Sequence, residues 1–405
     1  RDQLADDGLE LGIDVGDLDY VVQLDAPTSV ASLLQRMGRT GRRPGTVSNC
    51  SMICRSSESL LQAVALVRLV QKGWVEEVRP PTWPAHVLAH QILALCLQQG
   101  GLSRRRILPW IGGAVPMASF DQAAIDQIVD IMVKREILHE ADGRLTLGRR
   151  GEKLYGRQNF FELYAVFECK SVIRVLHGGT DVGSVQASFL RTKLSTPEEL
   201  CFRLGGRAWQ VRTIDWKKGT CQVEPAEAGK IPVWLGSPGF LGKRLCEEMK
   251  GVLRDGIFPK GLSDSARADL AELRASYEGL VGEGEAPLED TSDGLRWHTF
   301  AGGAINRLLA AGLEKVGSGK WVSGNLSLHP KDKIGGSQAI SAIRELSGVD
   351  WEELAAGLVE EGEAGIGKFE TCLSGKMAAR VAVEKVYGGA GVAEFLKGRK
   401  VGVVR

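Results

Sequence analysis

An arginine-dense stretch near the start of the chain contains the residue types that bind phosphate. Arg36, Arg39 and Arg42 follow one another at a spacing of three, with Gly38 and Gly41 between them. A guanidinium group is planar, stays charged and can hold phosphate oxygens through two parallel hydrogen bonds. Placed against a γ-phosphate, such an arginine finger raises the rate of phosphoryl transfer by about 10³–10⁵. The alternative is a solvated basic loop that only closes an α/β unit.

A carboxylate and an amide belong to the same stretch. Gly12-Ile13-Asp14 places a carboxylate on a tight glycine turn, where it can accept hydrogen bonds from ribose hydroxyls or orient a catalytic water. Gln35 lies on the predicted helix that leads into the arginines. Together with the arginines, these groups favour a nucleotide site over a plain basic loop.

The elements that must position these residues follow from local patterning. Residues 20–25 form a β-branched run that is typical of a buried strand, and residues 30–37 have helical spacing. Residues 46–54 are predicted as the next strand and residues 59–72 as an amphipathic helix. This order predicts an α/β fold with a parallel sheet, which ends at a proline cluster within residues 80–84.

The next segment has helical periodicity and then a turn signal. Helices are predicted over residues 86–98, 103–111 and 121–135. Short apolar runs at 137–140 and 144–147 flank an Asp-Gly pair, which is a strong hairpin signal. Three helices followed by a hairpin predict a winged helix, a common nucleic-acid-binding module.

The rest of the chain divides into a strand-rich part and a mainly helical part. Residues 160–225 are rich in strand formers and glycine turns, which predicts a small sheet or barrel. Beyond Gly242 helical patterning continues to about Phe395, with a hairpin-like WVSGNLSLH stretch within it.

The composition bounds the class of protein. The chain has 405 residues, of which 43% are hydrophobic and 25% charged, the balance of an ordinary globular protein. A formal net charge of +1 argues against wholesale coating of a polyanion, so phosphate binding must come from local patches. No apolar run is long enough to span a bilayer, and no signal segment opens the sequence. We therefore expect no membrane partner.

The cysteines and histidines give weak signals. Eight cysteines are scattered without a CxxC pair, which indicates reduced thiols and a cytoplasmic location. His86 and His90 have an i, i+4 spacing, but neither a following glutamate nor a clear third ligand accompanies them. We predict no metal site in this chain.

Several motifs occur in the order known from one family. LELGID resembles motif V of superfamily-2 helicases, and QRMGRTGRR resembles motif VI. The sequence from Gly12 to Arg43 resembles that of the Lhr (large helicase-related) family in particular. The likeness continues through RRGEKLYGRQNFFELYAVF, GGRAWQVRTIDWKKGTCQVEPA, IPVWLG, WHTFAGGAINRLLAAGL and KFETCL, and so covers almost the whole chain.

The resemblance implies an ATP- and Mg²⁺-dependent motor. Lhr-like proteins are 3′-to-5′ translocases that track on single-stranded DNA and unwind DNA duplexes and RNA–DNA hybrids, which suggests a role in DNA repair. Arg39 and Arg42 would then be the arginine fingers at the interface between two motor domains. The residues that would support this interface or couple nucleotide to nucleic acid are Gly12, Asp14, Gln35 and Arg36.

One part of motif V departs from the family. Threonine or serine usually opens this motif and donates to the nucleic-acid backbone, whereas this chain has Asp6 and Asp7 there. Two carboxylates repel phosphate, so this contact is weakened.

The predicted fold class combines these observations. It is α/β (a partial RecA-like domain), followed by a winged helix and an α+β C-terminal domain with a small strand-rich sheet or barrel and helices. The predicted domains are the C-terminal part of a second RecA-like domain at 1–78, a winged helix at 79–158, and an Lhr-type C-terminal domain at 159–405, strand-rich over 159–235 and mainly helical over 236–405.

Candidate nucleic-acid contacts lie in the later modules. Trp234 lies in a loop bounded by prolines and glycines, where its ring can stack on a base for about 1–3 kcal/mol or pack half-buried. The resemblance favours stacking against the tracking strand. Lys243 and Arg244 follow and can bind phosphate. Trp209 and Trp216 have strand spacing and are predicted as core residues.

Three arginines open the second helix of the predicted winged helix. Arg104, Arg105 and Arg106 oppose the helix macrodipole there, so a compensating benefit is expected. Phosphate contact by Arg104 and Arg105 is one interpretation, and a solvated face is the other.

Two classes of function remain open. One is the C-terminal portion of a translocating helicase, and the other is a non-motor module that binds nucleic acid or a partner protein. A degenerate scaffold relative with the same fold is a third alternative. No GxxxxGK[ST] loop and no DExH box occurs in the 405 residues. We expect the chain by itself to bind nucleic acid without hydrolysing ATP, as a fragment that begins partway through a motor domain.

Overall fold

The computed structural model describes the chain in segments. These are residues 18–156, 163, 172–186, 190, 201–204, 207–215, 218–226, 240–292, 294–359, 368–388, 391–397 and 399–404. Contacts divide them into two compact units. Unit 1 comprises residues 1–82, 239–364 and 382–405, and unit 2 comprises residues 83–238 and 365–381. The predicted domain boundaries at residues 78 and 158 stay predictions.

The first segment is the strand–helix–strand–helix order expected from the sequence. Strand β1 (Val21–Leu24) is followed by helix α1 (Val30–Met37), strand β2 (Cys50–Ile53) and helix α2 (Ser57–Gln71). Strands β1 and β2 pair in parallel, with Val21 opposite Cys50. The hydroxyls of Ser29 and Ser56 cap α1 and α2 by accepting hydrogen bonds from amides three residues ahead. The predicted α/β segment with a parallel strand pair is confirmed.

Unit 2 begins with three helices, a hairpin and a further short helix. These are α3 (Ala85–Gln99), α4 (Arg104–Ile111), α5 (Gln122–Lys134), β3 (Leu138–Ala141), β4 (Arg144–Leu147) and α6 (Arg149–Tyr155). Asp142 and Gly143 connect the two strands with φ values of 50° and 70°. Two consecutive positive φ values fit the type I′ geometry that the Asp-Gly pair predicts. The buried isoleucines of these helices are Ile92 on α3, Ile107 and Ile111 on α4, and Ile125 and Ile128 on α5.

A five-stranded sheet follows in unit 2. Its strands are β5 (Val172–His177), β6 (Thr180–Gln186), β7 (Cys201–Leu204), β8 (Arg207–Asp215) and β9 (Thr220–Pro225). Their spatial order is β6-β5-β9-β8-β7, with β5 and β9 parallel and the other neighbours antiparallel. Trp209 is buried in this sheet and its indole nitrogen donates to the carbonyl of Leu204 at 2.9 Å, as expected of a core residue. Trp216 lies outside the described residues.

The C-terminal segment mixes helices with a second five-stranded sheet. Its elements are α7 (Lys243–Asp255), α8 (Asp264–Ser276), β10 (Leu288–Thr291), β11 (Gly294–His298), α9 (Gly303–Lys315), β12 (Trp321–Ser323), β13 (Ser327–Pro330), α10 (Gly336–Glu345), α11 (Trp351–Leu358), α12 (Gly375–Tyr387), α13 (Val392–Lys397) and β14 (Val403–Val404). The sheet order is β12-β13-β11-β10-β14. The predicted hairpin forms β12 and β13, whereas the sequence patterns did not predict β10, β11 and β14.

One hydrophobic core joins the first stretch of unit 1 to the beginning of its second stretch. The apolar face of α2, including Leu61, Leu66 and Leu69, packs with Met249 and Val252 of α7, and all five side chains are buried. The first segment, from β1 to α2, and the start of the C-terminal segment therefore share one core, although residues 83–238 of unit 2 separate them along the chain.

A buried ion-pair network reinforces the contact between α2 and α7. The Glu248 carboxylate is 4% exposed and accepts from Arg68 Nε and from Lys72 Nζ, each at 2.7 Å. Arg68 Nη1 also donates to Asp255 Oδ1 at 2.7 Å. Because both lone-pair sets of Glu248 are used by cations, the cost of burying its charge is offset.

Within the described residues, no helix is both long enough and apolar enough to cross a membrane.

Candidate nucleotide and nucleic-acid site

The start of α1 is held by side chains from two places in the chain. Ser29 Oγ accepts from Ser32 N at 3.1 Å. Glu76, which follows α2, accepts from Val30 N and from Ala31 N through its two carboxylate oxygens, each at 2.8 Å. The first amides of a helix have no partner within the helix, and a carboxylate there also complements the macrodipole. Glu76 and Ser29 therefore fix the helix that ends in the arginine loop.

The arginine loop, residues 38–43, turns back against the strand pair. Arg36, on the last turn of α1, donates from Nη1 to the side-chain oxygen of Gln23 on β1 at 2.5 Å. The backbone carbonyl of Arg39 accepts from Leu18 N at 3.3 Å. Arg42 is exposed, and its Nε donates to the carbonyl of Gly38 at 3.1 Å. The strand pair and the end of α1 thus set the positions of the arginines in and beside this loop.

Thr40 fastens this loop to the chain before β2. Its side chain is 2% exposed, and its hydroxyl donates to the Met37 carbonyl at 2.8 Å and accepts from Asn49 N at 2.8 Å. Gly41 follows with φ of 70°, and a Cβ at this position would lie 2.4 Å from Ser48 N. Both the left-handed backbone and the close approach require glycine, so the spacing of the arginines is fixed by the backbone.

The carboxyl ends of the two parallel strands are tied together by a side-chain contact. Asp25 follows β1 with φ of 57°, and its carboxylate accepts from Arg55 N at 2.9 Å and from Arg55 Nε at 2.7 Å. These hydrogen bonds lower the pKa of Asp25 below its ordinary value. Ala26 N donates to Ser59 Oγ at 3.0 Å, which links the same turn to the start of α2.

The structure brings some predicted residues together and leaves others untested. Gln35, Arg36, Arg39 and Arg42 lie within the last turn of α1 and the loop that follows it, with Gln35 exposed. The other predicted motif residues and the predicted stacking residue lie outside the described residues, namely Asp6, Asp7, Gly12, Asp14 and Trp234. Their roles stay predictions.

Arg104 is engaged inside unit 2. Its Nε and Nη2 donate to the two carboxylate oxygens of Glu140 on β3 at 2.9 and 2.6 Å, and its Nη1 donates to Asp130 on α5 at 2.6 Å. The bond with Glu140 contributes most to raising the pKa of Arg104. This side chain braces α4 against α5 and the hairpin, so a phosphate would compete with two carboxylates for it. Arg105 and Arg106 are exposed.

Lys243 and Arg244 form the first turn of α7 in unit 1. Arg244 is exposed, and its Nη1 lies 4.0 Å from Glu247 Oε2. The other oxygen of Glu247 accepts from Arg399 Nη2 at 3.1 Å. Because this contact of Arg244 is long and exposed, it contributes little to stability and leaves the cation accessible to a phosphate.

Sequence reasoning missed three residues that position the loop. Gln23, Thr40 and Glu76 were not singled out, although each bonds directly to α1 or to the arginine loop. Thr40 lies between the two glycines of the motif, and a hydroxyl there is a signal for a loop that hydrogen-bonds its own backbone. Gln23 and Glu76 have no local signal, since their partners lie 13 and 46 residues away.

Removal of the Glu76 carboxylate is expected to loosen α1. Glu76→Ala leaves two first-turn amides without their acceptor, and loss of such a cap lowers the free energy of unfolding by about 1–2 kcal/mol. Urea titration measures the loss. Glu77→Ala is the matched control, because Glu77 is exposed and, among the described residues, its ion pair is with the exposed Arg79. Equal stabilities of the two variants would contradict the capping role.

Comparison with known proteins adds three findings. Residues 4–44 match the family model of the helicase conserved C-terminal domain. The chain is 26% identical over 265 residues to the Lhr helicase/probable uracil glycosylase of Mycolicibacterium smegmatis, covering 60% of this chain and 17% of that protein. It is 31% identical over 280 residues to the ATP-dependent helicase Lhr-Core of Methanocaldococcus jannaschii, covering 68% of this chain and 32% of that protein.

A solved structure shares the fold. The helicase Lhr of Mycobacterium smegmatis, bound to ssDNA and AMP-PNP, superimposes with a TM-score of 0.59 at 18% identity, covering 96% of this chain and 52% of that chain. This chain therefore spans about half the length of that structure, and the matched regions span less than a third of the curated relatives.

The parallel strand pair with its arginine loop, together with the family-model match, defines part of a superfamily-2 helicase. Within that class, the chain is similar over most of its length to bacterial and archaeal members of the Lhr helicase family.

Proposed function

We propose that this chain is the C-terminal portion of an ATP-dependent helicase that moves 3′ to 5′ on single-stranded DNA and unwinds DNA or RNA–DNA duplexes. The observation that carries the proposal is the arginine loop. Its backbone is locked by Thr40 and Gly41, and its preceding helix is capped by Glu76. A preorganised pair of cations is what phosphoryl transfer requires, because stabilising charge must already be in place as the γ-phosphate reacts.

Each residue of the loop has a role in this proposal. Arg39 and Arg42 reach the γ-phosphate of an ATP held by a first motor domain. Arg36, oriented by Gln23, and Gln35 support the interface between the two motor domains. The donor set is cationic, so it suits the phosphates of ATP and not a metal ion. We therefore place Mg²⁺ with the first motor domain, which supplies the remaining phosphate contacts.

Binding of nucleic acid is assigned to the later modules. Helices α3–α5 and the β3–β4 hairpin have the order of a winged helix, which supports a nucleic-acid-binding role for this part of unit 2. Trp234, Lys243 and Arg244 are proposed to contact the tracking strand. The helicase Lhr of Mycobacterium smegmatis was solved with ssDNA and AMP-PNP, which supports the same two ligands here. A cytoplasmic location and a role in DNA repair complete the proposal.

A second candidate is a non-motor module that binds nucleic acid. It is favoured by the lack of both a GxxxxGK[ST] loop and a DExH box in the 405 residues. The two candidates agree on binding and differ on whether the arginine loop acts on ATP in a larger protein.

The chain itself provides the first test. We expect the purified 405-residue protein to bind single-stranded DNA in a fluorescence-anisotropy titration and to show no DNA-stimulated release of phosphate from ATP. A robust DNA-stimulated rate would contradict the proposal that a first motor domain is needed. Lack of binding to any single strand or duplex would contradict both candidates.

A further inference from the structure

Helix α4 has one face that the fold does not use. Ile107 and Ile111 are buried on the opposite side of the helix. At 100° per residue, Arg105, Arg106, Pro109 and Trp110 fall within an arc of about 140°. All four are exposed. We refer to these four residues as the α4 face.

The cations of the α4 face are available to a ligand. Neighbouring Arg104 is neutralised by Glu140 and Asp130. Within the residues that the structure describes, no ion pair engages Arg105 or Arg106. Cations in the first turn of a helix oppose its macrodipole, so these two charges weaken the helix and stabilise nothing else in the described part of unit 2.

An exposed indole lies beside these cations. Trp110 is 46% exposed, although a tryptophan in a folded protein usually buries most of its ring. It is four residues after Arg106, and helix positions with this spacing are neighbours on the surface. The flat ring and the guanidinium groups therefore share one accessible surface.

We propose that the α4 face binds single-stranded nucleic acid. Trp110 stacks on a base, and Arg105 and Arg106 pair with the phosphates on either side of it. A stacking ring with flanking cations is how strands are held without sequence preference. A protein partner fits less well, because the centre of a protein interface is depleted of charge whereas two unpaired cations flank this ring.

This inference rests on the proposed function and names one contact surface for it. It also replaces Arg104 with Arg106 and Trp110 as the contacts on α4, since Arg104 is held within the fold.

The test separates stacking from charge. Binding of a fluorescein-labelled oligo(dT) strand is measured by anisotropy at several KCl concentrations. We expect Trp110→Ala to weaken binding about tenfold without changing the slope of log K against log salt. Trp110→Phe keeps a ring and should retain most of the affinity. Arg105→Gln and Arg106→Gln should each reduce the magnitude of the slope by about 0.7, since one phosphate contact is lost.

A matched control and a folding check accompany these variants. Lys134→Gln removes an exposed cation from the last turn of α5, outside the α4 face, and should leave both affinity and slope unchanged. Far-UV circular dichroism establishes that each variant is folded. The arginine variants test the surface independently should Trp110→Ala fail to fold.

The outcomes distinguish the two levels of inference. If the wild type binds, and the Trp110 and arginine variants bind with the same affinity and the same salt dependence, the role of the α4 face is overturned alone. That surface would then be left to a protein partner. No binding by the wild type would overturn the α4 face and the proposed function together.

Discussion

Arg39→Ala is expected to lower the rate of DNA-stimulated ATP hydrolysis by about 10³–10⁵-fold in the helicase of which we propose this chain is a part. The loop would keep its shape, because Thr40 and Gly41 hold its backbone through contacts that do not involve the Arg39 side chain. The substitution removes the positive charge that we propose faces the γ-phosphate. Steady-state phosphate release measures the effect, and an anisotropy titration should give the same affinity for single-stranded DNA.

The control for this substitution is an exposed arginine elsewhere in unit 1. Arg79 lies after α2 and pairs with Glu77 at 3.0 Å, far from the loop in sequence. Arg79→Ala should hydrolyse ATP at the wild-type rate. Arg39→Lys should remain slow, because an ammonium group cannot reproduce the two-pronged contact of a guanidinium. Turnover retained by Arg39→Ala would refute the assignment of the arginine finger and favour the non-motor alternative.

Glu248→Ala is expected to lower the free energy of unfolding of unit 1 by about 3 kcal/mol. Loss of one member of a buried ion pair leaves its partners without compensation, and such losses run to about 3–5 kcal/mol. The lower end of this range applies because Arg68 keeps its ion pair with Asp255, and because Lys72 is 47% exposed and can be hydrated. Urea titration gives the magnitude, and hydrogen exchange of the amides in α2 and α7 assigns the loss to this unit.

Two further variants make the interpretation specific. Glu278→Ala removes an exposed carboxylate just beyond α8 and should leave stability unchanged. The double substitution Arg68→Met and Glu248→Leu replaces both charges by apolar groups and should regain most of the loss, because the charged partners that remain, Lys72 and Asp255, are 47% and 28% exposed and can be hydrated. If the double variant is as unstable as Glu248→Ala, packing and not charge determines the effect.

The sequence predicted the arginine loop and its supporting elements well, because the signals for them are local. Caps at Ser29 and Ser56 and the β-branched run of β1 lie next to the elements that they define. The backbone of the loop follows from Gly41, whose positive φ and close approach to Val47 and Ser48 require glycine. Residue type and spacing were enough for these features.

The parts that the sequence did not predict depend on distant contacts. Strand β10 pairs with β14, whose residues lie more than 100 positions later, and β14 is only Val403–Val404. Short strands of this kind have no periodicity of their own and form because a neighbour offers its edge. Distant contacts also explain why the roles of Glu76 and Arg104 were not predicted. Glu76 lies in a polar stretch far from α1 in sequence, and the partners of Arg104, Asp130 and Glu140, come close to it only in the folded chain.

The shared core of α2 and α7 sets an order for synthesis and folding. A chain emerging from the ribosome folds its domains as units, starting from the N-terminal end. The apolar side chains of Leu61, Leu66 and Leu69 reach their final partners only after Met249 and Val252 have been made. Until then these α2 side chains lack their α7 partners, although residues 83–238 of unit 2 have already been synthesised. Residues 365–381 of unit 2 are made later still, so neither unit is complete until synthesis has passed well beyond α7, and the segment that carries the arginine loop cannot acquire its shared core before α7 is made.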